Sequence, residues 1–439
     1  MSAVSVEDLE RPAPIEPRST SPKPMPYAWY VVAVLMLAYA LSFIDRKIPF
    51  ILAESIKHDL KLNDTELGLL TGMAFTLVYA TAAIPIASLA DRRSRKWIIA
   101  IAVAVWSVMT SLGGFAANFL QLAASRSGVA IGEAASSPAA LSMLADYFPS
   151  NYRARAVGLY MAGAQLGILV GLPLGGVISD LSNWRTAMLL VGVPGLAVTL
   201  LILLTVREPL RATQPLRELS SRSTLGNLRQ LFASPTYRHL FIGGLLFNTA
   251  SAGVLSFGPA YVIRTYHLSA SRTGLTYGIV IGVAGVLGAA VGGFAADWLR
   301  TRDLRYPLVA FAAAVVLGVP FLVAALLVHG YWGFLFLLAV PQFVGMTYAG
   351  PSFSTIYAIV PARNRALAAA VFLFALNGIG LSAGSLMAGA LSDGFAALGT
   401  AASLRVALLL LSSLNVWAAI HYVIAASKLK ADLTRVEAD

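Results

Sequence analysis

Whole windows of twenty residues in this chain carry no charged side chain, and they are continuous apolar runs with neither a polar helix face nor strand-like alternation. A run of that length matches a hydrocarbon core of roughly 30 Å, so each one reads as a membrane-crossing helix. Composition agrees: of 439 residues 58% are hydrophobic and 12% charged, with a mean hydropathy of +0.74, more apolar surface than one water-soluble domain can bury. The runs predict helices near 30–50, 67–89, 97–115, 120–144, 156–179 and 186–206, then near 240–263, 274–298, 307–328, 332–360, 366–392 and 404–425. The fold class is therefore an all-α membrane protein of twelve transmembrane helices in two pseudo-symmetric six-helix bundles. Its parts are a disordered tail (1–26), a first bundle (27–206), a charged linker (207–238), a second bundle (239–426) and a final tail (427–439). In the linker, Leu225, Leu228, Leu231 and Phe232 fall at helical spacing and predict a short helix lying on the membrane surface.

The net charge of +11 does not point to nucleic acid, because its distribution is that of membrane topology. With odd-numbered helices running outward, 23 of the 32 Lys and Arg lie on the side of the termini and six on the other. That asymmetry puts both termini in the cytoplasm of a multi-pass inner-membrane protein. The first 26 residues lack the apolar centre of a cleaved signal. There is no cysteine, and His58, His239, His267, His329 and His421 are scattered, so neither a thiolate site nor a metal cluster is expected. No Gly-Lys pair exists to end a phosphate-cradling loop, which argues against an ATP-driven pump. The expectation is a monomeric membrane protein that is not an enzyme and needs no cofactor.

The halves echo one another at an offset of a little over two hundred residues. Ser137-Pro138, Tyr147-Phe148-Pro149, Arg153, Arg155, a glycine-rich helix and Ser179-Asp180 answer Gly350-Pro351, Ile359-Val360-Pro361, Arg363, Arg365, another glycine-rich helix and Ser392-Asp393. Repeats of this kind are the sequence mark of alternating-access transporters. The glycines of the fifth helix (Gly163, Gly167, Gly171, Gly175, Gly176) and of the eleventh (Gly378, Gly380, Gly384, Gly389) predict close backbone packing.

The paired signatures resemble the major facilitator superfamily, whose loop between helices 2 and 3 reads here Ala87-Ser88-Leu89-Ala90-Asp91-Arg92-Arg93-Ser94-Arg95-Lys96. A finer resemblance is to its Spinster branch: Phe43-Ile44-Asp45-Arg46 in helix 1, Arg126 with Gly132-Glu133-Ala134 and Ser137-Pro138 in helix 4, and Asp146-Tyr147-Phe148-Pro149 closing it. The resemblance implies proton-linked movement of lipid-like amphiphiles. An Asp-Arg pair in helix 1 is also carried by anion symporters of the superfamily, which keeps a small organic anion as the alternative cargo; a non-transporting membrane sensor with this fold is the remaining alternative. A gate is further expected on the side of the termini, made of Asp91, Arg92, Arg95 and Asp146, in which Asp91 caps the start of helix 11 and, as the resemblance implies, Arg95 pairs with Asp146.

Ionisable groups at membrane depth are costly and usually functional. Asp45 and Glu133 are the expected proton-accepting acids, protons being the coupling ion. Arg46 and Arg126 are the expected switching and substrate-contacting bases, since a guanidinium binds carboxylate or phosphate in a bidentate fork. Arg126 and Glu133 are seven residues apart, so one helix face carries both, about 10 Å apart. Asp45 and Arg46, as neighbours, diverge by about 100°. Lys47 is expected to snorkel outward, and His421 to be a packed or lipid-edge histidine. Tyr39, Phe43 and Ser137 in the first half, and Asn248, Ser251, Tyr348, Ser352 and Asn377 in the second, are candidate substrate-cavity residues, though buried Asn and Ser more often stitch helices together.

Overall fold

A computed structural model describes residues 25–90, 94–209, 224–361 and 364–438, and these are almost wholly helical. In the first half, α1 is Pro26–Leu60, α2 is Asp64–Thr71 continuing as Met73–Ala90, α3 is Arg95–Gly113, α4 is Phe119–Tyr147, α5 is Ser150–Leu181 and α6 is Trp184–Thr205. In the second, α7 is Pro235–Tyr266, α8 is Ala270–Arg300, α9 is Tyr306–Leu327, α10 is Tyr331–Met346 with Ala349–Ile359, α11 is Arg365–Leu373 and Leu381–Gly394 around a π-helical turn at Phe374–Gly380, and α12 is Thr400–Ser412 with Leu414–Ala438. Eleven of these twelve are long and apolar enough to cross a membrane. α4 has the length but is less apolar, because its 29 residues include Arg126, Glu133, Asp146 and a series of serines.

α1 outruns its apolar stretch, continuing to Leu60 through Glu54, Lys57 and Asp59. Those charges do not end the helix because each finds a partner on the same face of the protein, Arg264 for Glu54, Asp64 for Lys57 and Arg185 for Asp59. α1 and α7 then close identically. Lys61 (φ 54°) and His267 (φ 52°) adopt left-handed backbone, and Asn63 and Ser269 cap the helices that follow, so the repeat reproduces a whole hairpin.

Within the first half α1 lies along α5, and α4 packs between α2 and α3; within the second, α7 packs on α11 and α12, and α8 on α10. The halves meet along three seams, α5 with α8, α2 with α11, and α1 with α7. For orientation, the face that carries Met25 and the linker is the tail side and the opposite face the far side. On the far side one apolar core spans both halves, joining Ile48 and Ile51 of α1 to Phe257 and Tyr261 of α7 and Tyr277 of α8. On the tail side the core is split in two. One part, around Trp106, Met143 and Tyr160, belongs to the first half, and the other, around Tyr237, Phe372 and Tyr422, to the second.

The linker does contain a helix, Thr224–Ala233, but its apolar stripe is spent on protein. Leu231 is buried, Leu228 and Phe232 pack against the second half, and the Phe232 ring meets Tyr237 and Phe241 edge-on at 5.5 and 5.1 Å. The expected surface helix is thus docked on the start of α7, because those rings offer apolar contact without entering lipid.

Candidate functional site

Midway along the first half, α1, α2 and α4 bring four charged side chains together. Arg46 Nε donates to Glu133 Oε2, an ion pair whose carboxylate is fully buried. Its guanidinium lies over the rings of Phe43 (4.9 Å), Phe75 (5.3 Å) and Tyr79 (4.4 Å). Arg126, also buried, donates from Nη1 to the backbone oxygen of Asp45 at 3.0 Å and covers Phe75 at 4.9 Å. Arg126 makes no hydrogen bond to Glu133, whose Oε2 is taken by Arg46. Asp45 is 2% exposed and, among the described residues, has no ion pair; its Oδ1, Glu133 Oε1 and Arg126 Nε are buried without hydrogen-bond partners. An anionic carboxylate in that position is costly, whereas a neutral carboxylic acid is not. The arrangement is chemically suited to taking up a proton at Asp45 and to passing Arg46 between carboxylates.

Tyr39, Phe43 and Ser137 adjoin this cluster. Tyr39 stacks on Tyr160 at 4.5 Å and meets Phe43 edge-on at 5.0 Å, and Tyr160 donates to Ser137 Oγ at 3.3 Å. The second-half candidates do not converge to the same degree. Ser352 is fully buried with its hydroxyl 3.0 Å from Tyr422 Oη, so it stitches α10 to α12 and does not line a cavity. Tyr348 stands 6.3 Å, ring to ring, from Phe247, Asn248 and Ser251 are half-buried on α7, and Asn377 is exposed within the π-helical turn. His421 is half-buried and pairs with His239 of α7, Nδ1 to Nδ1 at 2.8 Å. Periodicity could not join these two, because they lie 182 residues apart.

The far side holds what sequence reasoning missed. Asp180, at the end of α5, accepts from the backbone amides of Ala270 (3.2 Å) and Ser271 (2.8 Å) and so caps α8. Asp393, at the end of α11, accepts from the amides of Asp64 (3.0 Å) and Thr65 (2.7 Å) and caps α2. Each is an anion at a helix N-terminus, where the unpaired amides and the helix dipole favour it. One turn before each aspartate is a glycine, Gly176 or Gly389, on which a Cβ would come within 2.7 Å of the Ala270 carbonyl carbon or 2.6 Å of that of Asp64. The two Ser-Asp pairs of the sequence repeat thus seal two equivalent seams. The third seam is ionic: Arg264 of α7 reaches Glu54 Oε1 of α1 (2.6 Å) and both carboxylate oxygens of Asp64 (2.7 Å each), while Lys57 lies 2.5 Å from Asp64 and the Ser392 hydroxyl donates to it at 2.6 Å. The signal for this seam is charge in helical register next to the apolar run, at Glu54 and Lys57.

On the tail side, among the described residues, no hydrogen bond or ion pair joins the two helical halves. Arg95 pairs with Asp146 at 2.5 Å and with Glu208 at 3.0 Å, all within the first half and the start of the linker. Asp91 and Arg92 lie outside the described residues. Glu208 also accepts from the Ser94 hydroxyl (2.7 Å) and the Lys96 amide (2.8 Å), capping α3. Burial pushes the Glu208 carboxyl up, but the Lys96 amide, the Ser94 hydroxyl and Arg95 together hold it below the usual glutamate range. Since the folded value is the lower one, the clamp contributes fully above the ordinary glutamate pKa and is lost as pH falls through the depressed one. Proteolysis of the linker should accordingly be slow at neutral pH and rise below about pH 4.5, and Glu208→Gln should give the fast pattern at pH 7; equal cleavage of both proteins at pH 7 refutes the clamp.

Two helical halves joined on the far side by helix caps and ion pairs, with buried charge between them and large apolar side chains exposed on the exterior, define a polytopic membrane transporter. The Major Facilitator Superfamily profile matches residues 35–385, and the chain belongs to that family. An "MFS-type efflux pump" of Mycolicibacterium smegmatis is 34% identical over 92% of this chain and 94% of its own length. The "Probable L-galactonate transporter" of Escherichia coli is 28% identical over 61% of each chain. The crystal structure of a bacterial homologue of the human lysosomal transporter Spinster, in an inward-facing and unoccupied conformation, superposes with a TM-score of 0.83 at 28% identity, over 93% of this chain and 99% of that one. Within the superfamily, then, the chain is Spinster-like.

Proposed function

We propose that this protein is a proton-coupled secondary transporter that works by rocker-switch alternating access and moves an amphipathic, lipid-like or anionic substrate. The observation that carries the reading is the buried Asp45–Arg46–Arg126–Glu133 cluster beside a boundary between halves that is sealed on one side. Protonation of Asp45 removes a buried charge, and Arg46 is long enough to change carboxylates as α1 rocks. The distribution of basic residues supports a cytoplasmic tail side in an inner-membrane protein. The far-side seams are then the outer gate, and this arrangement is inward-facing. In this reading alternating access breaks and re-forms those seams, each a set of caps, ion pairs or glycine contacts, as units. The protein acts as a monomer, needs no bound cofactor and is not an enzyme.

The aromatic rings beside Arg46 suit the apolar part of an amphiphile, and the cations suit an anionic head group. The second reading, symport of a small organic anion, is supported by the sugar-acid relative. Purified protein in proteoliposomes, with lysophospholipids and small organic acids offered under an imposed pH gradient, tests both. The expected result is substrate movement accompanied by proton flux and abolished by a protonophore. Substrate movement unaffected by the gradient refutes proton coupling, and binding without movement across sealed vesicles identifies a sensor.

A further inference from the structure

We infer that Lys47 is the residue that recognises the anionic group of the substrate, a carboxylate or a phosphate. This inference rests on the transport reading above and adds to it a residue and a charge requirement. Lys47 lies thirteen residues before the end of α1, about 20 Å along the axis from the far surface. It is two turns from Glu54 and therefore on the same helix face. Glu54 touches Arg264 of α7, so this face of α1 looks across the boundary between the halves. The adjacent face, with Ile44 and Ile48, is taken up by the glycines of α5. Lys47 is half-buried, and its ammonium sits 4.9 Å from the centre of the Phe50 ring, beneath the sealed far-side gate. The expected escape to the outer surface is not what the side chain does.

Charge balance makes the case. At this depth the acids are Asp45 and Glu133 and the bases Arg46, Arg126 and Lys47. Arg46 is matched by Glu133, and Arg126 by the Asp45 carbonyl and the Phe75 ring. Lys47 is the cation of the set that meets only an aromatic face: among the described residues no carboxylate or hydrogen-bond acceptor reaches its ammonium. With both acids ionised and Lys47 protonated the layer carries one positive charge in excess, and protonating one acid makes it two. An uncompensated charge away from bulk water is costly, and an anion entering from the open side removes that cost. The site thereby attracts an anion more strongly when the acid is protonated, which is the coupling a proton symporter requires. A lysine acts here as a point charge, so the group it recognises is defined by charge more than by planar shape.

The test compares wild type, Lys47→Gln and Lys47→Arg in proteoliposomes. One arm offers lysophosphatidylglycerol and lysophosphatidylcholine of the same acyl chain, and the other offers gluconate, so that a lipid head group is distinguished from a free acid. Thermal unfolding of each purified variant checks that it is folded. Wild type should prefer the anion in at least one arm. Lys47→Gln should raise KM for that anion about tenfold or more, with little change for the zwitterion, and Lys47→Arg should restore the preference. A folded Lys47→Gln protein that keeps wild-type discrimination overturns the assignment while leaving proton-coupled transport intact. Wild-type preference for the zwitterion likewise overturns the assignment, whereas no proton-linked movement of any probe overturns the underlying reading, so the two failures are separable.

Discussion

Replacing Asp45 by Asn should abolish proton-driven accumulation while leaving substrate exchange between the two sides of a vesicle. The amide has nearly the shape of the protonated acid, and the Asp45 side chain makes no ion pair among the described residues, so the replacement breaks no salt bridge. What disappears is the choice between charged and neutral forms. With the neutral form permanent, the halves can still rock around bound substrate, but a pH gradient no longer biases them. Initial uptake rates under an imposed gradient should fall by at least about tenfold, equivalent to ~1.4 kcal/mol, with exchange within about threefold of wild type. Undiminished gradient-driven uptake would remove Asp45 from the mechanism. Loss of exchange as well as uptake would assign it to substrate binding or to the fold instead.

Replacing Arg264 by Ala should open the far side. The arginine holds Glu54 and Asp64, both nearly buried, and only Lys57 remains to compensate them when it is gone. Breaking one member of a buried ionic group costs about 3–5 kcal/mol, because the remaining charges stay desolvated. In the open arrangement those carboxylates are hydrated, so the penalty falls on the closed state and shifts the equilibrium by roughly 10²-fold or more. The chain has no cysteine, so Ser382→Cys supplies a single thiol. Ser382 is buried, with its hydroxyl 2.5 Å from Thr76 across the α2–α11 seam. A membrane-impermeant maleimide added from the far side should label Ser382→Cys slowly in the otherwise unchanged protein and rapidly with Arg264→Ala. Adding Glu54→Gln and Asp64→Asn should slow labelling again, since the uncompensated charges are then gone. Unchanged labelling in the Arg264→Ala background would show that the Asp180 and Asp393 caps keep the gate shut without the ion cluster.

Much of the architecture was legible because lipid imposes one simple rule on each helix, a long apolar run. Twelve runs, a linker and a repeat could be read directly, α4 among them in spite of its lower hydropathy. Helix ends were less legible. α1 was expected to stop at residue 50 and continues to Leu60, since charged residues end a helix only when nothing compensates them. Similarly, the leucines of the linker signalled an amphipathic helix, but not which apolar surface would receive it.

At the site, the sequence determined which residues are expensive to bury: Asp45, Arg46, Arg126 and Glu133 are rare charges in apolar helices, and that rarity is visible in one dimension. It also determined the duplicated Ser-Asp pairs. Only the tertiary structure decided the pairing, in which Arg46 takes Glu133, Arg126 takes a backbone carbonyl and Lys47 is left with a ring. Likewise it alone brought Asp64 to Arg264 and Asp393 to the start of α2 across some two hundred and more than three hundred residues of chain. The reason is physical. Burial cost belongs to a side chain and its own helix, whereas compensation depends on which atoms come within about 3 Å, and that is set by how the two halves rest against each other.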